Sequence, residues 1–141
     1  MTPLGEMTMP RTAEGTFEVK TAPMPPDEAT AATSIARYSL DKFYRGDLEG
    51  ASAGEMMGVG NPASGRAGYV AVEQFTGSLH GKAGSFALQH SSTMFDGHFD
   101  MNIRVAPGSG TGDLEGIAGT LTIVIAGGKH SYSLEYTLPG D

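Results

Sequence analysis

The chain contains no cysteine. That excludes a disulfide framework, a cysteine nucleophile and thiolate metal ligation, and it fits a reducing compartment. Basic residues are scarce: nine Lys and Arg stand against 16 Asp and Glu, a net charge of −7. Neutralising phosphate needs a basic face, and no Lys/Arg cluster supplies one, so nucleic acid is not an expected partner. The acidic balance serves solubility. Long apolar runs are also missing. Nothing approaches the roughly 20 apolar residues that span a bilayer. The opening stretch "MTPLGEMTMPRTAEG" has neither the basic n-region nor the apolar h-region of a signal peptide. These absences predict a soluble, cytoplasmic protein with no membrane partner.

Several chemical signatures are absent as well. There is no G-x-S-x-G elbow, which removes an α/β-hydrolase. The four histidines show no H-x-H or H-E-x-x-H spacing, so no metal is expected. No cofactor is implied. No long amphipathic helix is visible either.

What the chain has instead is glycine, 21 of 141 residues, about twice the usual share. The glycines punctuate short β-type runs. One phrase recurs: "GDLEGASAG" at 46–54, "GSLHGKAG" at 77–84 and "GDLEGIAG" at 112–119. A phosphate loop needs a helix N-terminus to supply oriented N–H groups. Each copy here is followed by strand-like sequence, and G-K-[ST] is absent. The phrase is therefore read as a turn-and-plug device, with glycines setting bends and Leu48, Leu79 and Leu114 sealing one end of a core.

Residues 1–12 read as a loose leader and 13–141 as a single domain. "TAPMPPDEATAAT" (21–33) reads as a loop, with a short helical turn capped by Asp27. Eight strands are predicted: 15–20, 34–45, 51–58, 67–77, 84–93, 98–107, 119–128 and 129–138. The cleanest alternation is "HFDMNIRVAP", with Phe99, Met101, Ile103 and Val105 on one face. "AGYVAVEQFTG" (67–77) is apolar on both parities and is expected to be covered on both faces. Eight regularly spaced strands with glycine turns predict an all-β, antiparallel eight-stranded barrel, lipocalin-like in scale. A chain of 141 residues buries roughly 70% of its unfolded surface, enough for one core without staples.

The blocks "GTFEV" (15–19), "GDLEG" (46–50), "GYVAVEQFTGSLHGKAGSFALQHSS" (68–92), "PGSGTGDLEGIAG" (107–119) and "GKHSYSLEYTL" (128–138) resemble a family of short bacterial proteins known only as a domain of unknown function. The resemblance spans residues 13–138. It implies an eight-stranded barrel of the allene-oxide-cyclase-like type, and it implies no activity. Allene oxide cyclase closes a ring in an apolar barrel cavity, but that kinship is architectural, and a fold does not transfer chemistry.

Two residues are the candidate catalytic groups. Glu73 shares parity with Tyr69, Ala71 and Phe75; inside a barrel, desolvation would raise its pKa toward that of a general acid or base. Parity alone leaves its inward and outward orientations open. His90 lies with Phe86 and Leu88 and is expected to face the core. A hairpin across 77–84 would bring it to the same end as Glu73, as a proton shuttle. Tyr69, Glu55, Tyr132 and Tyr136 are the candidate ligand contacts. Glu55 is read as a surface acid in preference to an inward one, and the last two tyrosines first as core. His80 is placed in a turn.

Three functions stay open. The first is a barrel that binds a small apolar or mixed-polarity molecule. The second is an isomerase or cyclase using Glu73 and His90. The third is a structural, homo-oligomeric barrel (dimer or higher) with a filled interior. A cavity of a few hundred Å³ separates the first two from the third.

Overall fold

The computed structural model describes residues 9–140. Nine strands run in chain order: β1 Arg11–Met24, β2 Ala36–Gly46, β3 Leu48–Asn61, β4 Arg66–Leu79, β5 Lys82–Phe95, β6 His98–Val105, β7 Thr111–Gly112, β8 Ala118–Ala126 and β9 Lys129–Thr137. The only helical turn among the described residues is Pro62–Ser64. Every pairing is antiparallel. The wall runs β1-β2-β3-β4-β5-β6-β8-β9, and β9 pairs back to β1 to close an eight-stranded barrel. The two-residue β7 is extra and lies against Ser85 and Gly84 of β5.

The alternating pattern positions the core. Phe17, Tyr44, Phe75, Phe86, Leu88, Ile103, Val105, Leu121, Tyr132, Leu134 and Tyr136 point inward and pack together. Strands β4 and β5 are joined by His80–Gly81, with φ of 49° and 82°. Positive φ at both residues matches the right-handed twist of the flanking strands. His80 thus sits in a turn, as expected.

The repeated glycine phrase is architectural. Gly50 pairs with Gly77, Gly77 with Gly84, and Gly84 with Gly112, a side-chain-free row across β3, β4, β5 and β7. A Cβ at Gly77 would lie 2.1 Å from the Glu49 carbonyl oxygen, and one at Gly84 would lie 2.2 Å from that of Thr111. Only glycine lets the neighbouring backbones come this close. Beside this row Leu48 and Leu79 are register partners, and Leu114 abuts Gly84. All three leucines are buried and plug this end of the barrel.

Three expectations need correction. Residues 21–24 belong to β1. Beyond Phe17, β1 has lost its β9 neighbour and pairs with β2 alone, so Pro23 sits on a free edge where its missing N–H costs nothing. The turn after Asp27 is present, its carboxylate accepting from Thr30 N and Oγ1 at 3.0 and 2.8 Å, but it does not become a helix. The outer face of β4 is not covered within one chain: Val70 and Val72 are more than half exposed. Of the leader read over 1–12, residues 1–8 lie outside the described residues, whereas Arg11 and Thr12 pair with β9.

Candidate functional site

Glu73 points inward from the middle of β4 and is completely buried. Burying a lone carboxylate is costly, so it must find partners. It has four. Lys42 Nζ (β2) and His90 Nε2 (β5) each donate to Oε2 at 2.7 Å. Tyr44 OH (β2) and Ser52 Oγ (β3) donate to Oε1 at 2.5 and 2.8 Å. Two donors meet each oxygen, which saturates an ionised carboxylate.

Lys42 and Glu73 stand on strands that do not pair, with β3 between them. Strand β3 offers Ser52 and Gly54 at this level, and Gly54 is the register partner of both Leu40 and Glu73. A Cβ at Gly54 would lie 1.9 Å from the Val72 carbonyl oxygen and 2.7 Å from Glu73 Cα. The last glycine of the first repeat therefore lets β3 press against β4, so that Lys42 can reach across to the carboxylate. The Lys42 ammonium also lies 4.8 Å from the Phe17 ring centroid, a cation–π contact.

The electrostatics overturn one expectation. Burial does push the Glu73 carboxyl up. The His90 hydrogen bond, the Lys42 charge and hydrogen bond and the Tyr44 hydroxyl outweigh it and bring the group down to about 2. Glu73 is thus a fixed anion at neutral pH, and a poor proton carrier. Burial, with the neighbouring Glu73 charge added, pushes the Tyr44 phenol far up, so it stays a donor. The ionised carboxylate only accepts, so His90 Nε2 carries the hydrogen of that bond. Among the described residues, Nδ1 of His90 has no hydrogen-bond partner.

Above this cluster the barrel opens. A cleft of about 280 Å³ is lined by Tyr38, Met56, Tyr69, Met94, Phe99 and Met101, with Ser92 as a polar group in its wall. Tyr69 and Ser92 are register partners on β4 and β5, one inward position beyond Ala71 and His90. Burial raises the Tyr69 phenol, with Ser92 opposing. A larger recess, about 660 Å³, lies over the outward side chains of Val70, Val72, Gln89 and Arg104. It is on the outside of the wall, although Ala71 and His90 also contribute to its lining.

The remaining candidates separate. Glu55 is exposed and pairs with Arg37 at 2.9 Å. Tyr132 and Tyr136 lie at the plugged end, away from the open cleft. Tyr132 OH accepts from Leu48 N at 2.9 Å and lies 3.0 Å from the Arg45 carbonyl oxygen, pinning the β2–β3 turn. Tyr136 OH meets His80 Nδ1 at 2.5 Å. Both hydroxyls are occupied by the protein itself. Tyr132→Phe should strip the buried Leu48 N–H of its partner and cost about 1–3 kcal/mol, read as a lower urea midpoint with unchanged slope.

Lys42, Tyr44 and Ser52 were missed as site residues. The signal was a lysine on the inward parity of β2, between Leu40 and Tyr44. A buried lysine requires an acid, and Glu73 is the buried acid on the inward face among the described residues.

A closed β-barrel, plugged at one end, open at the other and crossed by a buried charge cluster, is the class that this geometry defines. Its family follows from sequence: the pattern of DUF3224, a protein family of unknown function, matches residues 13–136, and the chain belongs to it, as the resemblance implied. A crystal structure of a protein of unknown function from that family, from Shewanella oneidensis MR-1, is 40% identical. The match covers 93% of this chain and 99% of that one, with a TM-score of 0.84. No curated protein matches. Among the described residues, no helix is long and apolar enough to cross a membrane.

Proposed function

We propose that the protein binds a small, mainly apolar molecule in the open end of its barrel, with a polar group of that molecule directed at Tyr69 and Ser92. The observation that carries this reading is the cleft of about 280 Å³ above a packed lower half. Apolar walls with a few convergent polar groups are the usual form of a ligand pocket. A completely filled interior would have argued for a purely structural barrel.

Gly58 provides the test. It lines the cleft on the inward face of β3, and a Cβ there meets only the Gly68 carbonyl oxygen at 3.5 Å and Tyr69 Cβ at 3.7 Å. A leucine at this position fills the cleft without disturbing the wall. The fluorescent probe 1-aminoanthracene should bind saturably, and Gly58→Leu should weaken it by about tenfold, on the order of 1.4 kcal/mol. Absent fluorescence enhancement, or enhancement indifferent to Gly58→Leu, sinks the reading.

An isomerase or cyclase is the second reading, and one contact favours it: Glu73 holds His90 by Nε2, with no partner at Nδ1 among the described residues. Glu73 would then orient the imidazole, and His90 would handle the proton. This reading requires Nδ1 to sense a bound molecule. A His90 side-chain nitrogen NMR shift that does not change on adding 1-aminoanthracene counts against it.

A further inference from the structure

The barrel wall is not evenly zipped. Strands β6 and β8 share one register pair, Arg104 with Thr120, whereas the other adjacent wall strands share at least seven. Continued register would match residue 102 with 122 and 100 with 124. Instead the two strands splay toward the open end. The gap is a second cleft of about 610 Å³, lined by Phe99 and Met101 of β6 and by Leu121, Thr122, Ile123 and Ile125 of β8. Phe99 and Met101 also line the mouth cleft, so the two spaces adjoin at these side chains. Phe99 and Ile125 are 64% and 62% exposed, large apolar groups left in water along one slot.

We propose that this splayed seam receives the alkyl tail of an uncharged single-chain amphiphile whose polar end sits in the mouth. The inference rests on the mouth-binding reading above and names its ligand class. The tail follows from the shape: the apolar slot adjoins the mouth at Phe99 and Met101, so a chain too long for the mouth has an apolar surface to follow sideways between these two side chains. The uncharged head follows from the lining. Among the described residues, no charged side chain lines either cleft, and the Lys42 ammonium beneath is engaged by Glu73. A carboxylate head would be desolvated without a counter-ion, whereas a hydroxyl or carbonyl finds Tyr69 and Ser92.

The test is displacement of 1-aminoanthracene by linear 1-alkanols from hexan-1-ol to dodecan-1-ol, and by dodecanoate. Each methylene moved from water into the slot is worth about fourfold in affinity. The rise should continue to dodecan-1-ol, and dodecanoate should bind about tenfold more weakly than dodecan-1-ol or worse. Ile125→Asp, at an exposed position, should weaken dodecan-1-ol by about tenfold and leave hexan-1-ol and the probe unchanged, with an unaltered urea midpoint. A plateau beyond hexan-1-ol, or an Ile125→Asp loss equal for both alcohols, overturns the seam and leaves the mouth reading standing. Dodecanoate binding more tightly than dodecan-1-ol overturns the uncharged head. Failure of the probe and of every alkanol to bind overturns both readings together.

Discussion

Glu73→Gln is expected to destabilise the barrel by about 3–5 kcal/mol, measured by urea unfolding at neutral pH. The loss does not measure the worth of one ion pair. It arises because Lys42, buried and 2.7 Å from the carboxylate, is left as an uncompensated charge. Gln offers one carbonyl oxygen where the carboxylate took four donors. The double variant Lys42→Met with Glu73→Gln removes the stranded charge and should recover most of the loss, since buried ion pairs are often replaced by apolar groups at little net cost. The same carboxylate shapes acid stability. Its folded pKa, about 2, lies below the ordinary 4.5. A depressed acid contributes stability that is fully present above the unfolded pKa and is lost as pH falls through the folded one. The wild type should therefore lose about 3 kcal/mol between pH 4.5 and 2 from this group, and Glu73→Gln should lack that component.

Leu114→Ala is expected to cost about 2–5 kcal/mol in the same assay. Leu114 is fully buried, although it sits in the connection after β7 and not in a wall strand. It packs onto Gly84, where the glycine row leaves no side chain to take up the space. Its backbone is fixed by hydrogen bonds from Leu114 N to Thr111 O at 3.0 Å and from Ile117 N to Leu114 O at 3.1 Å. The cavity left by truncation thus has little freedom to collapse, which is the condition for a large loss. Val72→Ala, on the open outer face, should stay within about 0.5 kcal/mol. Equal losses for the two variants would refute the plugged-end description.

The strands were legible because short β-type runs between glycine turns are a strong signal: each of the eight wall strands overlaps a predicted run, β1 reaching beyond its run at both ends. β7 was not, since two residues carry no period. The orientation of Glu73 was hidden by Val70 and Val72: apolar residues on the outward parity made both faces look like core. Once Glu73 is inward, its raised pKa fails for a related reason. Its own strand surrounds it with Tyr69, Ala71 and Phe75, which only desolvate it, while the groups that decide its charge come from β2 and β5. Lys42 was the available clue, a lysine interrupting an inward stripe. The glycine phrase was readable as architecture from what followed each copy. That Gly54 also admits Lys42 to Glu73 depends on a cross-strand approach that no local pattern shows. The splayed β6–β8 seam is likewise invisible in a sequence whose β6 is the most regular strand of all.

The most direct measurement is a two-dimensional amide and methyl NMR titration of the intact protein with 1-aminoanthracene. Occupation of the barrel mouth predicts perturbations centred on Tyr38, Met56, Tyr69, Ser92 and Met101, with Leu48, Leu79 and Leu114 at the plugged end unmoved. Perturbations centred on Val70, Val72 and Arg104 outside the wall, or none at saturating probe, would contradict it.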